Sequence, residues 1–468
     1  MTKITDVKQS TEKYSFNLWT VFFVYVIVNV ALIFFVDPGI SLAKGADAGS
    51  WYRPALALLK HGSFVMLDSP DTLMTYRAPL YPLYEAIMLW ISDGKTISII
   101  VGQVVLLWIT GVFASGIVGF FIPQYRIIAL VLIVFNPNAI AIAHLIQSDT
   151  LYALFIVVSI WSLFKYMLSD NKIKWSVITS IFLGLSCLVR PTGQYLIFLM
   201  PIAFPLINIL YGKKNILFTS VRDGVFGIIV AGLILFPWMS HNNEAGWGYV
   251  MVTDQIKTVY LRDNTVWAEA KDRNFSINDA KNSILDGEKE FIKSIDDWEE
   301  GMSDQQKYKM LVAYYTNKFT SYPITTLLAG YVDSWIDFIG GGGSVNLHNL
   351  FSIDAVKALE KHKTKSYSSR IEGVFDSLSD APIKATMISI LSYIYIIALR
   401  VLGVFGILEM IRRKEHSLLL IILGLILYFA LAALFVGNSR YRLPIEIGFV
   451  MLSLYGLSFL KSVKKLKK

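Results

Sequence analysis

Long apolar runs alternate with short polar ones along most of the chain. Residues 16–36, 97–121, 127–146, 149–168, 175–190, 194–211, 224–239, 385–411, 416–435 and 443–460 form ten such runs. A helix needs about 20 apolar residues to cross a hydrocarbon core of about 30 Å. The pattern therefore predicts an all-α polytopic membrane protein with ten spans. The stretch PLYPLYEAIMLWI, from Pro79 to Ile91, is also apolar, but it is short and holds two prolines and a glutamate. It is expected to be an interfacial or re-entrant helix, with an eleventh span as the alternative. The first run is longer than a signal-peptide core, so an uncleaved helix is expected, although Ser41-Leu42-Ala43 faintly resembles a cleavage site. No repeat period of about 20 to 50 residues is present.

Two long segments separate the runs, 37–96 and 240–384. In the first, Trp51, Ala55, Leu58 and Leu59 recur at helical spacing, with Arg53 and Lys60 on the other face. This predicts an amphipathic helix lying along the membrane surface. Pro54 is expected to start or bend that helix, and Gly62 to close it. In the second, Ser303 to Gln306 form a capping-box signal before the stripe Tyr308, Leu311, Val312, Tyr315 and Phe319. A further helix follows Pro323 and stops at Gly340 to Gly343. The expected organisation is a tail 1–15, a transmembrane module 16–239 with its outer loop 37–96, a helical extracytoplasmic subdomain 240–384, and C-terminal spans with a basic tail, 385–468.

Composition agrees with a membrane protein. Hydrophobic residues make up 54%, mean hydropathy is +0.53, and charged residues are 17%, against about 25% in soluble domains. The single cysteine, Cys187, lies in an apolar run, which excludes an internal disulfide and suits a small packing residue. The net charge of +8 is not a nucleic-acid signature. Its basic residues sit in short segments beside the runs, at Lys3, Lys8, Lys13, Arg126, Lys165, Lys172, Lys174, Lys213, Lys214, Arg222, Arg412 to Lys414 and the terminal KSVKKLKK. That is the positive-inside pattern, and it places both termini in the cytoplasm.

The same topology puts another set of polar residues on the opposite face. Asp47, Arg53 and Arg77 belong to the first outer segment, and Asp149 opens a span. Arg190 ends a span, His241 and Asn242 follow another, and Arg440 and Arg442 lie in the last outer loop. Arginines in short outer loops run against the charge rule and are costly unless they pair or bind. Several of them with two acids on one face point to an anion site, because a guanidinium offers paired bonds to a phosphate. Asp149 has a second reading as the cap of its own helix. Arg400 and Glu409 have no evident partners in the sequence.

These residues stand in motifs that resemble the GT-C glycosyltransferases, closest to the family 39-like branch of protein O-mannosyltransferases and aminoarabinose transferases. The motifs are Asp47 with its following helix, YRAPLYPLYEA, FNPNAIAIAHLIQSDTLYALF, GLSCLVRPTG, FPWMSHNNEAGWGYV and SRYRLPIEIGFVMLSLYGL, in the family's order. The resemblance implies an inverting transferase that moves a sugar from a polyprenyl-phosphate carrier to a glycan, lipid or protein acceptor outside the cytoplasm; the lysine-rich, loop-sparing build points to a bacterial inner membrane, with the site facing the periplasm or exterior. It implies Asp47 as catalytic carboxylate and Asp149 as the second acidic position. Arg77, Arg190, Arg440 and Arg442 become donor-phosphate contacts, while Trp51, Arg53, Tyr76, His241 and Asn242 are site-lining candidates. No cofactor is required, although Asp47 with Asp149 could hold a divalent cation. SHNN replaces the Arg-Asn usual after Pro-Trp, and segment 240–384 has no counterpart. Two other readings are an O-antigen-type polymerase or ligase using diphosphate-linked glycans, and a secondary transporter. A transporter would carry its polar groups near the bilayer midplane in matching halves.

Overall fold

The computed structural model describes residues 11–35, 47–210, 217–295, 298, 301–343, 346–347, 350, 372, 375–376 and 383–466. The tail with Lys3 and Lys8, residues 36–46, Lys213 and Lys214, most of 344–382, and Lys467 and Lys468 lie outside the described residues. Among the described residues there are 17 α-helices and one short antiparallel hairpin. In chain order these are α1 (Thr11–Phe35), α2 (Ala48–His61), β1 (Val65–Met66), β2 (Ser69–Leu73), α3 (Leu80–Ile91), α4 (Ile97–Phe121) and α5 (Arg126–Val134). There follow α6 (Pro137–Ala143), α7 (Asp149–Leu168), α8 (Lys172–Val189), α9 (Gln194–Leu210) and α10 (Leu217–Glu244). Helices α11 (Asp254–Arg273), α12 (Ile277–Lys293), α13 (Asp304–Thr320) and α14 (Ile324–Gly340) form the long polar segment, and α15 (Ile383–Arg412), α16 (His416–Ala432) and α17 (Glu446–Leu466) close the chain.

Seven of these are long and apolar enough to cross a membrane: α4, α7, α8, α9, α10, α15, and α17 with the turn before it. The chain thus fits an all-α polytopic membrane protein. Leu18–Phe34, α3 and α16 are shorter apolar helices. The expected span 127–146 is not one helix. It divides into α5 and α6, bent by 53°. Pro137 cannot donate to the helical ladder and favours extended backbone before it, and Asn136 there has φ −61° and ψ 120°. The Asn136 side chain accepts from the Asn138 and Ala139 amides and starts α6 afresh.

Helix α2 begins at Ala48, so Pro54 neither starts it nor stands at its edge. Its buried face is Ala48, Trp51, Pro54, Ala55 and Ala57, while Leu59, expected in the stripe, is 42% exposed. Gly62 closes the helix in the left-handed region, φ 70°, with its amide bonded to the Leu58 carbonyl. The hairpin that follows has no counterpart in the expected elements. In the polar segment, Ser303 and Gln306 form the reciprocal capping box that opens α13, and α14 runs from Pro323 to the glycine stop. Val266, Ala270, Ala280, Ile284 and Tyr315 give α11, α12 and α13 a small core of their own.

The most extensive helix pair is α15 with α17. A Cβ at Gly406 would land on the Leu452 carbonyl, and one at Gly456 on the Leu402 carbonyl. Small residues let the two backbones touch, as is usual between membrane helices. Gly406→Ala is therefore expected to cost about 1–3 kcal/mol by overpacking, read as a lower thermal midpoint in detergent. An unchanged midpoint would contradict so close an approach.

Candidate functional site

Helices α7 and α8 form an antiparallel hairpin, which brings the first residue of α7 beside the residue that ends α8. The 3-10 turn Ser439–Ile445 packs over the same place. Asp149, Arg190 and Arg440 meet there, and the segment from Asp47 to Arg77 closes over them. Asp149 pairs with Arg190, and Arg440 Nε stands 3.6 Å from its second oxygen. Asp47 accepts from Arg77 Nη2 at 3.1 Å and from Arg440 Nη2 at 2.9 Å. Three arginines against two aspartates leave one net positive charge, which favours an anion.

One turn of α2 sets the open side of this cluster. Asp47 is its N-cap residue, and Ser50 and Trp51 follow at three and four residues, on one face. Ser50 Oγ donates to the Asp47 carbonyl at 2.6 Å and accepts from Arg77 Nε at 3.0 Å and Nη2 at 2.6 Å. The Arg77 guanidinium lies 4.4 Å from the centre of the buried Trp51 ring, which stands edge-on to Tyr81. Below, the Tyr441 ring faces Arg190 at 5.3 Å and Arg440 at 5.5 Å. Ser50 and Tyr441 were not expected. Their signals were only a serine three residues after Asp47 and an aromatic between two arginines.

Exposure separates the two acids. The Asp149 side chain is 1% exposed, Arg440 13% and Arg190 14%, whereas Arg77 is 28% and Asp47 33% exposed. A ligand can reach Asp47 and Arg77 directly. Asp149 lies behind the arginines it holds. It is also not a cap: Ser148 occupies the cap position, and the Asp149 carboxylate turns to Arg190. Pro191 keeps Arg190 extended, φ −144° and ψ 124°, at the end of α8.

Burial pushes the Asp47 carboxyl up, but Arg440 and Arg77, with Arg190 further off, outweigh it and hold the group at about 2. The stabilising effect of its ion pairs is then complete above the ordinary aspartate range, about pH 4, and is lost as pH falls through about 2. The difference in thermal midpoint between wild type and Asp47→Asn is expected to shrink between about pH 4 and pH 2. A difference independent of pH would show that Asp47 is not held this way.

Arg442 does not join the cluster. It is fully buried, and it donates to Glu446 at 2.6 Å, to the Phe338 carbonyl, to the Ile339 carbonyl at 3.1 Å and to the Gly341 carbonyl at 3.0 Å. Arg400, without an evident partner in the sequence, donates to the Ile339 carbonyl at 2.9 Å and to Glu446 at 3.2 Å. Glu409 is likewise paired, with Arg412 and Arg413. Arg53 pairs with exposed Asp68 at the hairpin. His241 Nε2 bonds the Met74 carbonyl at 2.9 Å and its ring stacks on Trp238, so it steadies the strand that leads to Arg77. Asn242 donates to the Val250 carbonyl at 2.8 Å and closes the turn after α10. Tyr76, next to Arg77, is half-buried at the edge of the site.

No family model, curated protein or solved structure matches this chain. Among the described residues, no three His, Cys, Asp or Glu side chains gather to hold a metal ion. Asp47 and Asp149 are each engaged by arginine.

Proposed function

We propose that the chain is a GT-C-like glycosyltransferase that moves a sugar from a polyprenyl-phosphate carrier to an acceptor at the membrane surface. The observation that carries this reading is Asp47 held between Arg77 and Arg440, two arginines from opposite ends of the chain, at the ends of apolar helices. A lipid-linked phosphate would arrive at that level. Its oxygens compete with Asp47 for the same guanidinium N–H groups, so donor binding hands Arg77 and Arg440 over to the phosphate and frees the carboxylate. The acceptor hydroxyl then attacks the anomeric carbon from the side opposite the phosphate. The new C–O bond forms, the sugar–phosphate C–O bond breaks, and the hydroxyl proton passes to Asp47. The bonding electrons leave on the polyprenyl phosphate, whose growing charge the arginines stabilise. The leaving group needs no proton, so one carboxylate suffices, unlike the pair usual in glycoside hydrolysis. A single displacement inverts the anomeric centre.

Asp149 is a positioning residue in this scheme, aligning Arg190 and Arg440. Arg77→Ala is expected to raise the donor KM about 10- to 100-fold, the equivalent of one charge-assisted hydrogen bond. Steady-state kinetics with a radiolabelled polyprenyl-phosphate sugar measures it. A change confined to acceptor affinity would place the phosphate elsewhere.

A further inference from the structure

Helix α14 presents Ile324, Leu328, Val332 and Ile336 at four-residue intervals, 68%, 58%, 58% and 44% exposed. The stripe is about 18 Å long at the helical rise. The other faces of the helix are engaged. Gly330, Ser334 and Phe338 are buried, with the Phe435 ring against Gly330 and the Ser334 hydroxyl donating to the Leu434 carbonyl. Asp333 pairs with Lys271 at 2.8 Å, and Thr326 donates to Asp272 at 2.9 Å, both on α11. Among the described residues, the other exposed large hydrophobics from α11 to α14 are Val259, Tyr260 and, in the link after α11, Phe275. The stripe is one continuous patch, and such patches mark an interaction surface.

The anchoring of α14 says what covers it. Its C-terminal end is pinned to the flank of α15, not to that helix's tip. Arg400 Nε bonds the Ile339 carbonyl at 2.9 Å, and the Ser392 hydroxyl bonds the Gly342 carbonyl. Ser392 and Arg400 both lie within Thr386–Arg412, the part of α15 that is long and apolar enough to cross a membrane. Arg442, in the segment that opens the last span, holds the same stretch of carbonyls. A helix tied by its end to the flank of one span and the opening of another stands at bilayer depth. Beside it, α15 exposes Met387, Leu391, Ile394 and Ile397.

We propose that α14 is an interfacial helix, with Ile324, Leu328, Val332 and Ile336 embedded among the acyl chains of the leaflet on the site's side. The polar segment is then docked into the bilayer through α14, whatever reaction the chain performs. The site that opens beside this helix is thereby kept at the level of the membrane surface.

The lone cysteine, Cys187, is fully buried, so single introduced cysteines can be labelled cleanly. Leu328→Cys and Val332→Cys, each carrying an NBD fluorophore, are reconstituted in phosphatidylcholine vesicles with Lys309→Cys on α13 as the water-facing reference. The two exposed stripe positions leave packing intact and give independent readings. Blue-shifted emission that is lost with brominated acyl chains and resists aqueous iodide at 328 and 332, with the reverse at 309, supports the proposal. Quenching by iodide at 328 and 332 would overturn it in favour of a water-facing stripe. Resistance to both quenchers would overturn it in favour of a protein cover, either a second copy or segment 344–382.

Discussion

Asp47→Asn is expected to slow sugar transfer about 10²- to 10⁴-fold, the usual contribution of a positioned base, while donor binding holds or tightens. The substitution keeps the shape of the side chain and removes only its charge and basicity. Asp47 is the more exposed of the two site acids, at 33% against 1% for Asp149, so it is the one that can meet an acceptor hydroxyl. In the resting site it also occupies Arg77 and Arg440. A neutral amide competes less well for those guanidinium groups, so the incoming phosphate faces a weaker rival. A fall in kcat with an unchanged or lower donor KM is the expected signature, from steady-state rates on a labelled polyprenyl-phosphate sugar. Loss of donor binding would make Asp47 a donor-site residue instead. Normal turnover would remove it from the chemistry.

Arg442→Ala is expected to destabilise the protein by about 3–5 kcal/mol, because breaking a buried pair strands its partner. Arg442 is fully buried, and it satisfies Glu446 and three carbonyls at the C-terminal end of α14. Positive charge at that end also complements the helix dipole. Without it, Glu446 keeps Arg400, at 3.2 Å, and the end of α14 is left with its bonds from Arg400 and Ser392. Arg442→Lys is expected to rescue little, since an ammonium lacks the planar fork that reaches a carboxylate and several carbonyls together. Thermal unfolding in detergent measures both variants. Arg440→Ala should do the opposite, sparing stability relative to Arg442→Ala and removing donor capture. Inactive but fully stable Arg442→Ala protein would return that residue to the binding site.

Much of this arrangement was legible in the sequence because membrane topology makes misplaced charge conspicuous. Arg190 and Arg440 stood where the charge rule disfavours arginine, and both converge on aspartates with Arg77, although the five residues span most of the chain. The capping box at Ser303 and the stop at Gly62 were equally legible, because each is a local, short-range signal. Arg440 and Arg442 were not separable. They sit two residues apart in one 3-10 turn, and only the packing of α14 decides which faces the site and which is buried. Arg400 looked unpaired because its partner Glu446 is 46 residues away on a neighbouring helix. The break at Asn136-Pro137 had its signal in plain view, but the apolar run on either side outweighed it. Ser50 carries no signal in the sequence, because a lone serine in a helix has no distinctive spacing and its contact exists only once Arg77 folds over it.

The most direct measurement is sugar release by the purified wild-type chain in vesicles, offered a panel of labelled polyprenyl-monophosphate sugars and, in parallel, diphosphate-linked glycans. Consumption of a monophosphate donor, lost in Asp47→Asn and restored in Arg77→Ala only at high donor concentration, is the expected result. Consumption of diphosphate-linked glycans alone, or of no lipid-linked sugar at all, would contradict a polyprenyl-phosphate glycosyltransferase.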